Sequence, residues 1–222
     1  MKLLVVSDVH ERTGNINRLH AKLQRESFKP DFVVVAGDIT YFKDMGTAYS
    51  ILSGIRRLFG VKVLFVPGNC DPPELLEARE LGEDLVNLHS RFVNIGEYTF
   101  YGVGGGGISP FNTLIEFTEE QFDEFMSMLG SGSAGSLILV THQPIYGFFD
   151  NVNGERIGSK TFATYLRKIE PILWITGHVH ENSGWTLSGK TVIVHPGPLM
   201  RGYYAVVGVE DGVVKHIKVE KL

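Results

Sequence analysis

Five short apolar runs in this chain each stop abruptly at a cluster of polar residues, and no other feature limits the possible fold as tightly. Leu3-Leu4-Val5-Val6 leads into Ser7-Asp8-Val9-His10, Phe32-Val33-Val34-Val35-Ala36 into Gly37-Asp38, and Val63-Leu64-Phe65-Val66 into Gly68-Asn69-Cys70-Asp71. Further on, Leu137-Ile138-Leu139-Val140 runs into Thr141-His142, and Ile172-Leu173-Trp174-Ile175 into Gly177-His178-Val179-His180. Runs this short, without polar alternation, suit strands covered on both faces, as in a parallel sheet flanked by helices. The C-terminal ends of such strands form the edge of an α/β sheet at which binding loops gather.

Brought to one edge, Asp8, His10, Asp38, Asn69, His142, His178 and His180 offer only oxygen and imidazole donors, enough for two divalent ions. Two ions roughly 3.5–4 Å apart are a recurrent device for hydrolysing phosphate esters. A lone Asp-x-His after a strand would be an ordinary structural feature. Five such sites in series point instead to a bimetal hydrolase.

A chain of 222 residues can bury a substantial core, and one domain spanning 1–222 is the simplest organisation. Its 43% hydrophobic and 21% charged residues exclude a disordered chain. The one cysteine, Cys70, excludes an intrachain disulfide framework. Only four apolar residues separate Lys2 from Ser7, so neither a signal peptide nor a membrane span is expected, and the cytoplasm is the default location. With a formal charge of −4 and no basic cluster longer than Arg56-Arg57, extended duplex nucleic acid is not an expected partner. A small phosphate ester, nucleotide-like ones included, is. Oligomeric state leaves no signal.

Between the motifs, Ile16, Leu19 and Leu23 fall at helical spacing with Asn15 as a candidate cap. Ala48, Ile51, Leu52, Ile55, Leu58 and Phe59 make a second stripe that Gly60 stops, and strand–helix–strand–helix–strand implies a parallel half-sheet. Pro72-Pro73-Glu74 starts a helix expected to reach Leu81, and Leu85–Leu88 is a short strand. Phe92–Ile95 and Tyr98–Val103 form a hairpin, followed by glycines at 102 and 104–107 that match no dinucleotide or P-loop spacing and are expected to pack closely beside the site. Thr118-Glu119-Glu120-Gln121 is a capping box, and Ser131-Gly132-Ser133-Ala134-Gly135-Ser136 reads as a surface loop inside the domain. After His142, residues 143–158 make a long excursion whose Tyr146, Phe148 and Phe149 either line the substrate site or pack into the second sheet. Phe162, Leu166 and Ile169 mark another helix, and hairpins complete the chain.

At these residues the sequence resembles the calcineurin-like metallophosphoesterase superfamily, and within it a small phosphodiesterase-like branch. Asp8-Val9-His10, Gly37-Asp38, Gly68-Asn69-Cys70-Asp71, the His142 segment and Gly177-His178-Val179-His180 occur in that family's order. The resemblance implies a four-layer α-β-β-α sandwich with two packed mixed sheets. It implies Asp8, His10 and His180 at one metal, Asn69, His142 and His178 at the other, and Asp38 bridging. Hydrolysis would proceed by a hydroxide held between the ions, with Asp38, Asn69, Cys70, Asp71 and His142 as the catalytic set. Manganese suits mixed O/N donors, with iron, zinc, nickel or cobalt as alternatives.

Two departures matter. Cys70 stands where many relatives have His, leaving it either a proton donor or a packing residue. Asp38 is followed by Ile39-Thr40-Tyr41, without the Arg that phosphoprotein phosphatases of the superfamily use to grip phosphate. Arg12 either approaches phosphate or faces solvent. A small phosphodiester is therefore the leading substrate, with a nuclease, a phosphomonoesterase or a non-hydrolysing phosphate-ligand binding protein as alternatives. His195, in His195-Pro196-Gly197, is a further candidate for lining the pocket, whereas Asp71 is expected to orient neighbours.

Overall fold

A computed structural model describes residues 1–79, 81–82, 84–130 and 135–222. The first half runs β1 (Lys2–Val6), α1 (Thr13–Arg25), β2 (Phe32–Ala36), α2 (Met45–Phe59), β3 (Lys62–Val66), α3 (Glu74–Glu77) and β4 (Leu85–Asn87). The second continues through β5 (Val93–Ile95), β6 (Tyr98–Val103), α4 (Glu119–Ser127), β7 (Leu137–Thr141), α5 (Lys160–Ile169) and β8 (Leu173–Ile175). Two hairpins complete it: β9 (Gly184–Ser188) with β10 (Thr191–His195), and β11 (Tyr203–Glu210) with β12 (Val213–Lys221).

One sheet has the order β12-β11-β1-β2-β3-β4 and the other β9-β10-β8-β7-β6-β5. Both are mixed: β1 to β4 are mutually parallel, with β11 and β12 antiparallel at one side. In the second sheet β6, β7, β8 and β10 are parallel, with antiparallel β5 and β9 at the edges. Three apolar layers hold the four structural ones together. In β1, Leu4 and Val6 meet α1 and α2, whereas Leu3 and Val5 meet the opposite sheet. The same alternation puts Ile138 and Val140 of β7 between the sheets and Leu137 and Leu139 against α4 and α5. Burial on both faces is why these strands read as unbroken apolar runs. The expected sandwich is thus the observed one.

Local details divide. Gly60 ends α2 in the left-handed region at φ 69°, and Thr118 and Gln121 close the capping box on α4. Asn15 does not cap α1. Its amide instead donates to the Leu199 and Met200 carbonyls at 2.9 and 3.0 Å, tying the helix to the loop before β11. The helix after Pro73 ends at Glu77, short of the expected Leu81. There Asn87 donates to the Leu75 and Leu76 carbonyls at 2.8 and 3.1 Å, a tertiary stop that no local signal announces. The Gly/Ser run falls mostly on 131–134, outside the described residues. No described helix is long and apolar enough to cross a membrane.

Candidate metal centre

Parallel register brings the motifs together. Val6 pairs with Val35 and Ala36 with Val66, so the residues after β1, β2 and β3 emerge side by side. Val140 pairs with Ile175 across β7 and β8, which aligns His142 with the segment beginning at Gly177. The two sheet edges then lock face to face. His142 Nδ1 donates to the Ala36 carbonyl at 2.8 Å, and the His178 N–H donates to Asp8 Oδ2 at 3.2 Å, each bond running from one sheet to the other. Side chains are turned inward by left-handed backbone at Asp8 (φ 53°), His10 (43°), Asp38 (49°) and His178 (78°). Non-glycine residues in this region carry about 1 kcal/mol of strain each, which the surrounding packing must offset.

Two donor clusters result, Asp8–His10–Asp38–His180 and Asp38–His142–His178, sharing Asp38. In the first, His180 Nε2 is 3.1 Å from Asp8 Oδ1, and His10 Nε2 is 3.4 Å from His180 Nε2 and 3.5 Å from Asp38 Oδ2. In the second, His142 Nε2 lies 3.4 Å from Asp38 Oδ1 and 2.9 Å from Asn69 Oδ1. The rings of His142 and His178 are 5.1 Å apart. All seven residues expected as ligands therefore converge.

Two imidazoles have their tautomers set by main chain. His142 Nδ1 donates to the Ala36 carbonyl at 2.8 Å and His10 Nδ1 to the Thr40 carbonyl at 3.3 Å. A carbonyl only accepts, so each Nδ1 holds the hydrogen and each neutral ring turns a bare Nε2 toward other acceptors. Acceptors facing acceptors in a buried site call for a cation. This fit of donors to a divalent ion rests on the chain's own hydrogen bonds, of the kind that orient metal-binding imidazoles elsewhere.

In the metal-free chain a proton on His142 takes the place that the donor set offers a cation. Burial raises Asp8, but the hydrogen bond from His180 and the charge of His142 outweigh it and hold the carboxyl far below its ordinary range. Burial likewise raises Asp38, and His142 brings it down. Burial opposes a charge on His142, yet the Asp38 and Asp8 carboxylates push it up to about 9. His178 is driven down to about 4, first by burial and then by His142.

The remaining candidates have other places. Asp71 is fully buried and accepts from the N–H groups of Gly68 (2.7 Å), Ile39 (3.1 Å) and Thr40 (2.7 Å) and from Thr40 Oγ (2.9 Å). Burial and the neighbouring Asp38 nevertheless push its pKa up to about 7. It staples the Asp38 loop to the Asn69 loop. Cys70 is buried, its N–H donates to Asp38 Oδ1 at 2.9 Å, and its Sγ receives the Asn69 amide at 3.6 Å. Burial and then Asp38 push the thiol far up. Gly68 has no room for a side chain, since a Cβ would lie 2.0 Å from Asp38 Oδ1. His195 does not line the pocket. It is wholly buried, with Nδ1 3.0 Å from Thr176 Oγ and Nε2 2.9 Å from the Val179 carbonyl, bracing the strand end before His180.

A hollow of about 620 Å³ opens beside Asn69, His178 and His180. Its far wall includes Val152, Asn153, Glu155 and Ile157, so the excursion after His142 does line it, but not with its aromatics. Phe148 and Phe149 pack against the outer core, Phe149 stacking on His195 at 5.7 Å, while Lys160 sits over the Tyr146 ring. The glycine-rich segment packs against Asn69 and Gln143, as expected, and its continuation through Ile108 and Phe111 forms the opposite wall. A second hollow of about 510 Å³, lined by His10, Glu11, Arg12, Tyr41, His180 and Met200, meets the site from the other side. What sequence reading missed are the Ala36 and Thr40 carbonyls and the 108–113 wall, because main-chain acceptors and loop tips carry no residue-type signature.

A family model described as calcineurin-like phosphoesterase matches residues 1–182, which takes in every one of these donors. The uncharacterized protein MJ1162 of Methanocaldococcus jannaschii is 29% identical over 206 residues, 89% of this chain and 88% of that protein. UPF0046 protein K07C11.7 of Caenorhabditis elegans is 32% identical over 219 residues, 91% of this chain and 71% of that protein. Among solved structures, that of TT1561 of Thermus thermophilus superposes with a TM-score of 0.76 at 17% identity, covering 99% of this chain and 98% of the other.

Proposed function

The chain belongs to the calcineurin-like phosphoesterase family, and we propose that within it the protein hydrolyses a small phosphodiester with the aid of two divalent ions. Metal-dependent hydrolysis of a phosphate ester is the chemistry common to the family and to paired oxygen/imidazole clusters. The carrying observation is the single carboxylate, Asp38, shared by the two clusters. Asp8, His10 and His180 would hold one ion, Asn69, His142 and His178 the other, with Asp38 between them. When bound, the ions supply Lewis acidity toward phosphoryl oxygen and water. The chain's share is orientation: the Ala36 and Thr40 carbonyls keep two imidazoles turned inward, and Asp71 holds the Asp38 and Asn69 loops together. Manganese is the ion we favour for this mixed donor set.

The diester preference rests on charge. Among the described residues lining the larger hollow there is no lysine or arginine, whereas Glu155 and Glu181 are both there. On that side a monoester dianion would meet no cationic side chain, and a diester carries one negative charge fewer. The test uses metal-loaded protein with bis(p-nitrophenyl) phosphate and p-nitrophenyl phosphate. Higher kcat/KM for the diester, abolished by chelation and restored by manganese, is expected. Faster monoester turnover would overturn the substrate class, and turnover insensitive to chelation would overturn the metal dependence.

Cys70 receives a positional role in this reading, because its main chain holds Asp38 and its thiol is buried against Asn69. Cys70→Ala is expected to slow diesters with alkoxide and with nitrophenolate leaving groups by the same factor, metal content being equal. A loss confined to the alkoxide would instead make the thiol the proton donor, since only a poor leaving group needs the proton.

A further inference from the structure

We propose that the larger hollow is the subsite for one ester arm of the substrate, and that this arm is apolar and free of anionic groups. The inference rests on the reading that phosphorus sits at the paired clusters. His180 borders both hollows, so a diester placed there has a separate space for each arm, the smaller one carrying Arg12 and Tyr41. A monoester would fill one space at most.

The larger hollow is built for contact area. Ile108 and Phe111, 67% and 81% exposed, line it together with Val152 and Ile157. Large apolar side chains lining one cleft that borders a reactive centre are what an apolar ligand group covers. The polar side chains in the same walls are largely committed to holding them. Ser109 Oγ and Thr113 Oγ donate to Glu116 at 2.6 and 2.7 Å. Gln143 receives the Gly107 N–H at 2.9 Å and donates to the Ile157 carbonyl at 2.5 Å, so it buttresses both walls. Besides the residues of the metal clusters, the side chains left to meet a polar arm are Asn153, Glu155 and Glu181. Glu155 and Glu181 add a second selection, because a further phosphate or carboxylate on that arm would be repelled and an ammonium would not.

The test is competitive inhibition of turnover of a chromogenic diester by four compounds: dimethyl phosphate, methyl hexyl phosphate, and methyl hexyl phosphate ending in a carboxylate or in an ammonium. Methyl hexyl phosphate is expected to bind at least about tenfold more tightly than dimethyl phosphate, each buried methylene adding to the preference. The carboxylate form should lose that gain and the ammonium form keep it. Phe111→Ala combined with Ile108→Ala, both at exposed positions, should shrink the hexyl-to-dimethyl ratio, and Glu155→Gln with Glu181→Gln should restore the carboxylate form. Equal inhibition by the hexyl and dimethyl compounds, or a ratio indifferent to Phe111 and Ile108, would overturn the apolar arm. A carboxylate form as tight as the hexyl form in the unaltered protein would overturn the exclusion of anions. Absence of metal-dependent turnover of any diester would instead overturn the underlying reading, and this inference with it.

Discussion

Exchanging Asp38 for asparagine is expected to leave the protein folded while lowering its metal content from two ions per chain toward one. The fold survives because the amide keeps an oxygen to accept from the Cys70 N–H, at 2.9 Å in the native chain. The centre does not, because the same side chain faces His142 through Oδ1 at 3.4 Å and His10 through Oδ2 at 3.5 Å. An amide offers one neutral oxygen and one nitrogen, so it cannot serve both clusters as a carboxylate. Losing the second ion removes several kcal/mol of charge stabilisation, and diester turnover should fall by about a thousandfold or more. Metal analysis of the purified variant beside its kcat checks this. Two retained ions with near-native turnover would reject the shared-carboxylate arrangement.

A second large effect is expected at Asp71, on stability. Asp71→Ala strips the acceptor from three N–H groups and one hydroxyl in a fully buried place. Each stranded donor costs roughly 1–3 kcal/mol, and with partial relaxation the total should be about 3–5 kcal/mol. Urea unfolding of the metal-free protein at pH 8, where the native carboxyl is ionised, reads this loss net of the burial and Asp38 repulsion that the variant relieves. Asp71→Asn should lose less, keeping one acceptor. A loss under about 1 kcal/mol for the alanine variant would show that water replaces the carboxylate and that the two loops do not depend on it.

The family resemblance and the five strand-end motifs led to the sandwich and to all seven donors, and a physical reason lies behind each. Strands such as Leu3-Leu4-Val5-Val6 must bury both faces, which requires a helical layer on one side and a second sheet on the other. Parallel register then carries the loop after each strand to the same edge. His142 sits beside Asn69 because, in addition, the two sheets pack with these edges together, β7 and β3 lying in different sheets.

Other features were decided by contacts between segments remote in sequence. Asn15 has the composition of a helix cap, and the Leu199 and Met200 carbonyls claim it. His195 stands in a motif-like place, yet Thr176 and the Val179 carbonyl hold both its nitrogens in the core. Phe148 and Phe149 lie close enough to a ligand in sequence to reach the site, but their apolar area is better covered by the outer core, leaving Ile157 and Val152 at the hollow. What the sequence by itself determined was the alternation of buried strands with donor-bearing ends, since strand burial and ligand type are properties of residues in order. Which histidine nitrogen faces inward, which polar group is already satisfied and which apolar side chain is left to meet a substrate were decided only by the tertiary structure. Each depends on partners well beyond the local turn, from 16 positions away for Val179 and His195 to 185 for Met200 and Asn15.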